Sequence, residues 1–234
     1  MLGIEPSRED HSPRTAVLLE AYNAVYIEVP KVACSSIRIA LASLLGIDLN
    51  AAGVNPHEVD FPEPRPQAGP GLYPGLFAFA FVRNPWDRVV SCYRDKILGE
   101  VRDFTRFHPT RDVAYCLAGS DAFQGGMPFE GFVEVIAATP DGEADEHFRS
   151  QQTFVTDDTR QLAVDFLGRF ERLDQDFQRV CQEVGIGGLR LPFVQAAPTP
   201  RDCKEYYTPS TQRLVGERFA DDIKLFDYSF GASD

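Results

Sequence analysis

The chain has 234 residues, which bounds it to one large domain or two small ones and leaves room for a substantial core. It carries 23 Lys and Arg against 35 Asp and Glu, a net charge of −12, and a body of that sign is repelled by nucleic acid and by anionic membranes. A composition of 44% hydrophobic and 25% charged residues is that of a globular chain, which leaves a soluble enzyme or a soluble binding domain.

Residues 1–20 are polar and mixed in charge, unlike a secretory signal, and read as an N-terminal extension. The expected organisation is a single domain over 1–234, with its core at about 24–230. Residues 24–30 (AVYIEVP) are a short apolar, β-rich run stopped by Pro30, the pattern of a buried strand. Ile37, Leu41, Leu44 and Leu45 then recur at helical spacing until Gly46 offers a stop. Residues 50–75 hold six prolines and read as a long irregular connection. Residues 76–83 (LFAFAFVR) are a second buried strand. Asn84-Pro85 opens a helix whose face is Trp86, Val89, Val90, Tyr93 and Ile97.

Residues 102–158 read as helical and irregular, with a helix at 129–138. Residues 163–170 (AVDFLGRF) are a third strand, and 171–184 an amphipathic helix. A Gly/Pro-rich loop at 185–201, a helix at 209–219 and an aromatic closing element at 219–230 complete the chain. Strand then helix, three times over, predicts an α/β fold with a central parallel sheet flanked by helices. Ligands of such sheets sit outside the carboxyl ends of the strands.

Five cysteines, odd in number and without a CxxC pair, exclude a zinc ribbon and point to a reducing compartment. The uncharged run 66–82 is broken by Pro70, Gly71, Pro74 and Gly75, so it cannot span a bilayer as one helix. The expectation is therefore a cytoplasmic protein with no integral membrane segment.

Two segments carry chemistry. Pro30-Lys31-Val32-Ala33-Cys34-Ser35-Ser36 leaves a strand and opens a helix, whose unpaired N–H groups suit a phosphate or sulfate. Lys31 adds a mobile cation, and Ser35 and Ser36 add hydroxyls or an N-cap. It is not a Walker A loop, because the glycines are missing and the lysine comes first. Taken alone, this segment is equally an ordinary turn with an exposed lysine. In the second, Arg83 ends a strand and Ser91 follows eight residues later, a guanidinium fork and a hydroxyl suited to a second phosphate. Residues 83–111 hold seven Arg and Lys against four Asp and Glu, a local surplus of three positive charges, although Arg88, Arg94 and Lys96 also fit a solvated face.

PKVACSS together with FVRNPWDRVVSCYRDK resembles the two cofactor motifs of sulfotransferases that use 3'-phosphoadenosine 5'-phosphosulfate (PAPS), in particular the carbohydrate sulfotransferases of the chondroitin and HNK-1 type. The resemblance runs through FEGFV (129–133), EHF (146–148), LGRFERL (167–173) and DIKLFDY (222–228). It implies a three-layer, P-loop-nucleotidase-like fold and transfer of a sulfuryl group from PAPS to a hydroxyl, on a carbohydrate or glycoconjugate, with no metal.

By the same resemblance Lys31 meets the 5'-phosphosulfate, and Val32, Ala33, Cys34, Ser35 and Ser36 form the loop around it. Arg83 and Ser91 hold the 3'-phosphate, Arg201 approaches it, and the 168–171 strand end lies beside the adenosine. His57 is the leading general base, His147 the second and Glu58 a carboxylate substitute; a surface-loop role stands beside each histidine. Cys34 is not a phosphatase nucleophile, since Arg38 follows it by four and residue 40 is alanine. Animal members of this type carry an N-terminal membrane anchor and work in the Golgi lumen. This sequence shows no such anchor, so the expectation is a bacterial-type soluble member or an excised catalytic domain. Rival readings are a sulfotransferase-like domain that binds nucleotide or glycan without turnover, and a nucleotide-dependent phosphotransferase.

Overall fold

A computed structural model describes residues 15–47, 49, 55–65, 71–100, 113–117, 119–192 and 202–231. Four strands form one sheet in the order β1 (Ala16–Leu19), β2 (Ala24–Ile27), β3 (Phe77–Val82), β4 (Phe166–Arg169). The last three run parallel, with Ile27 opposite Ala80 and Val82 opposite Arg169. That register brings the carboxyl ends of all three to one side of the sheet.

β1 corrects the sequence reading. It lies inside the stretch taken as an extension and pairs antiparallel with β2, Ala16 opposite Ile27. The reversal is tight, a single 3-10 turn at Glu20–Tyr22 closed by Asn23 in the left-handed region at φ 49°. Asn tolerates that conformation better than most residues, and Asn23 Nδ2 also donates to the Gly75 carbonyl at 2.8 Å. The sheet is thus parallel at its centre with an antiparallel edge.

Every residue of β2 and five of the six in β3 are buried, as both-face coverage requires. The helices are α1 (Cys34–Leu44), α2 (Pro85–Lys96), α3 (Phe129–Ala138), α4 (Gln152–Val155), α5 (Leu173–Glu183), α6 (Pro209–Arg218) and α7 (Ala220–Phe226). Ile37 and Leu41 of α1, Phe177 and Val180 of α5, and Phe226 of α7 join the sheet's core. A second apolar cluster ties α2, α3 and α6 together through Trp86, Val90, Phe132, Ile136, Val215 and Phe219. β4 requires its glycine: a Cβ on Gly168 would drive into the Phe81 ring of β3.

Helix starts follow local chemistry. Asn84 caps α2 by accepting from Trp86 N at 3.2 Å, with Pro85 in the first turn. Thr208 and Thr211 form a capping box on α6. α1 differs from the expectation of a serine cap, because its cap residue is Ala33 and no side chain at the cap accepts from its first-turn N–H groups.

Candidate functional site

The chain leaves β2 through a turn in which Lys31 (φ 71°) and Ala33 (φ 65°) both occupy the left-handed region, the second beginning α1. Two such non-glycine residues within three positions cost about 1 kcal/mol each or more, and persist only where surrounding contacts impose them. Arg88 holds the Pro30 carbonyl where the chain enters this turn. It is buried on α2, not on a solvated face, and donates to the carbonyls of Pro30 (2.9 Å), Arg149 (2.8 Å) and Glu146 (3.1 Å). Burial pulls its pKa down from the usual value, against the pull of Asp222.

Arg83 follows β3 directly. Its Nη1 donates to the Lys31 carbonyl at 3.1 Å, so the two expected phosphate contacts meet at one place. Its Nε donates to Asp87 at 2.7 Å, and its guanidinium lies 3.9 Å from the Phe170 ring centre. Gln151, fully buried, fixes its backbone by accepting from Arg83 N (2.9 Å) and donating to Arg83 O (2.8 Å). Phe170 and Glu171, which accepts from Asn84 N at 2.7 Å, bring the 168–171 strand end to Arg83.

Lys31 Nζ reaches across to Asp95 at 2.6 Å, and Lys96 approaches the same oxygen at 3.3 Å. Asp87, Ser91 and Asp95 are spaced by four on α2 and share one stripe. Half-buried Ser91 therefore sits between the carboxylate that holds Arg83 and the one that holds Lys31. Both cations rest on carboxylates, the anion type that a phosphate replaces.

His57, in a 3-10 turn at Pro56–Glu58, reaches the same turn from the other side. Its Nε2 is 2.8 Å from Ser35 Oγ and 3.7 Å from Cys34 Sγ, and its Nδ1 is 3.1 Å from Glu28 Oε1. Arg38 donates to Glu28 Oε2 at 2.8 Å and to the carbonyls of Pro56 (2.7 Å) and Val59 (2.9 Å), clasping the loop that carries His57. Burial works to lower the His57 pKa, but hydrogen bonds to Cys34 and Glu28 outweigh it and lift it to about 10. Burial likewise opposes ionisation of Glu28, yet His57 and Arg38 hold its pKa below the ordinary value.

His147 is set differently. Its Nδ1 lies 2.6 Å from Asp145 Oδ1, while burial, with the charges of Lys96 and Lys31 nearby, lowers its pKa in spite of that carboxylate. The two histidines are thus shifted in opposite directions, His57 up and His147 down. Arg201 lies outside the described residues.

A family model for the sulfotransferase family matches residues 14–229. The chain belongs to that family. It is 29% identical over 232 residues to carbohydrate sulfotransferase 14 of Mus musculus, covering 92% of this chain and 60% of that protein. It is 26% identical to the Homo sapiens form, with the same coverage, and 26% identical to carbohydrate sulfotransferase 11 of Mus musculus, over 91% of this chain and 66% of that one. The chain thus spans about 60% of the first relatives' length. No solved structure matches.

Sequence reasoning missed Glu28, Asp95 and the buried role of Arg88. The one available signal was Glu28 itself, a lone charge in the apolar run AVYIEVP. Among the described residues two trios gather metal-type donors: Glu28, Cys34 and His57, and Cys116, Asp145 and His147. In each the carboxylate is committed to its histidine, with Arg38 or Lys96 beside it, a charge that opposes a divalent cation. A cavity of about 250 Å³ opens beside His57, lined by Glu28, Arg38, Asp60, Glu63 and Glu146 among others. A slightly larger one, about 280 Å³, lies between 71–76 and 162–165, at the amino ends of β3 and β4, away from the turn. Among the described residues no helix is long and apolar enough to cross a membrane.

Proposed function

We propose that the chain moves the sulfuryl group of PAPS to a hydroxyl of a carbohydrate or glycoconjugate, and works as a soluble cytoplasmic enzyme. The observation that carries this is the meeting of Lys31 and Arg83 at adjoining strand ends, each on a carboxylate and with Ser91 between. Such a pair fits a ligand with two separated anionic groups, and the names of the relatives supply the reaction. The donor, when bound, supplies a sulfuryl group already activated on a phosphate leaving group.

The protein's share is placement and charge. Arg83 and Ser91 hold the 3'-phosphate, and the first turn of α1 with Ser35 and Ser36 holds the 5' end. Lys31 leaves Asp95 to neutralise the oxygen between phosphorus and sulfur as that S–O bond breaks. The acceptor oxygen forms the new bond to sulfur and gives its proton to His57 Nε2, which faces the loop. A His57 charged below about pH 10 in the donor-free chain accepts that proton only after losing its own, so transfer through it climbs with pH across the alkaline range. A second reading is favoured by the lowered pKa of His147: there His57 remains a cation beside the donor, His147 is the base, and transfer is flat above neutrality.

The test is transfer of labelled sulfate from PAPS to a panel of neutral and anionic sugars, without metal. Lys31→Ala and Arg83→Ala are expected to lose roughly a hundredfold or more in kcat/KM. His57→Ala and His147→Ala at pH 7 and 9 assign the base. PAPS binding without transfer to any acceptor leaves only a binding module, and metal-dependent phosphate transfer from ATP replaces the reading altogether.

A further inference from the structure

We infer that Glu28 is a positioning residue for His57, holding the ring through Nδ1 so that Nε2 is the atom offered to the reacting groups. The inference rests on the reading that His57 takes part in transfer, and adds a residue to which the sequence motifs assign no role. Glu28 lies one residue past β2, at the floor of the cavity beside His57, with its side chain 8% exposed. A carboxylate there is costly unless both oxygens are engaged. They are: Oε1 faces His57 Nδ1 at 3.1 Å, and Oε2 accepts from Arg38 Nη1 at 2.8 Å.

Arg38 makes the arrangement rigid, because the same guanidinium donates to the Pro56 and Val59 carbonyls on either side of His57. Three elements are thereby pinned to one imidazole: the end of β2, the first turns of α1 and the Pro56–Glu58 turn. Glu28 accepts the Nδ1 proton, which leaves Nε2 as the atom that exchanges a proton with Ser35 Oγ at 2.8 Å. The groups at the ring are Glu28 just past β2 and Cys34 and Ser35 from α1, with Arg38, Asp60, Glu63 and Glu146 around the cavity. Of the carboxylates, Glu28 is the one in direct ion-pair contact with the ring, and it contributes to the raised pKa of His57.

The experiment measures the His57 ring titration by NMR in the donor-free protein and the pH profile of kcat with PAPS, in wild type and Glu28→Gln. Removing the carboxylate is expected to move the His57 titration down by about one to two pH units. The alkaline rise in kcat should shift down by the same amount, with the KM for PAPS little changed. Glu28→Gln also leaves Arg38 without its carboxylate, which can cost the fold. Glu28→Asp keeps that charge and withdraws it from Nδ1, so it should give a smaller shift in the same direction.

An unmoved His57 titration in a folded variant overturns the inference. So does a titration that moves while the kcat profile stays put. A wild type that transfers no sulfate to any acceptor defeats the proposed function instead, and the NMR titration still decides whether Glu28 governs the ring.

Discussion

Lys31 and Arg83 are not waiting cations. Each makes a short contact to a carboxylate of α2, 2.6 Å to Asp95 and 2.7 Å to Asp87, and under the proposed function a donor phosphate has to compete with those partners. The Lys31–Asp95 pair is largely shielded, with side chains 14% and 8% exposed, so breaking it is a real charge against binding. Taking a modest ion pair of about 1 kcal/mol, Asp95→Asn should tighten adenosine 3',5'-bisphosphate roughly fivefold. Calorimetric titration of the two proteins measures this. Equal or weaker binding by the variant means that Asp95 places Lys31 for the ligand and does not compete with it. The sequence shows Lys31 and Arg83 because strand ends and helix starts are visible in the pattern. It does not show Asp95 as a partner, because a contact across 64 residues leaves no periodic trace.

At the scale of elements, the short helices matter more than their length implies. α4 has four residues and α7 seven, yet together they support Arg83. Buried Asp222 of α7 accepts from the backbone N–H groups of Gln151 and Gln152 at 2.8 Å each, and Gln151 in turn grips the Arg83 backbone with both amide atoms. Burial lifts the Asp222 pKa to about 6 despite those donors. Gln151→Ala removes both bonds to a buried backbone and should cost about 1–3 kcal/mol in chemical denaturation. It should also weaken binding of the 3'-phosphate more than that of the 5' end, read by comparing adenosine 3',5'-bisphosphate with adenosine 5'-phosphate. Equal loss on both ligands places the effect in general stability.

The long periodic elements were legible: the expected helix at 129–138 coincides with α3, and β3 and α2 fall where their apolar patterns put them. β1 and α4 were not, because four residues of AVLL or QTFV carry too few turns of any period to stand out. Their place is set by tertiary partners, Ile27 for Ala16 across the tight turn and, 71 residues away, Asp222 for Gln151 at the start of α4.

At the scale of the whole molecule, charge bears on which acceptors can approach. The body carries a net −12, and the cavity beside His57 adds Glu28, Asp60, Glu63 and Glu146 at its walls, with the Arg38 guanidinium committed to Glu28 and two backbone carbonyls. Carboxylates accept from sugar hydroxyls and repel sulfate and uronate groups, so this entrance suits a neutral or amine-bearing acceptor. Salt separates the effect from local fit, because screening acts on long-range repulsion and leaves hydrogen bonds to hydroxyls nearly untouched. Raising salt from about 50 to about 300 mM should increase kcat/KM for a uronate-bearing acceptor several-fold, while a neutral sugar of similar size stays level. Lysine in place of Asp60 and Glu63, both exposed, should shrink that salt response. A wild type that prefers the anionic acceptor at low salt would mean that this cavity is not the route by which the hydroxyl reaches His57.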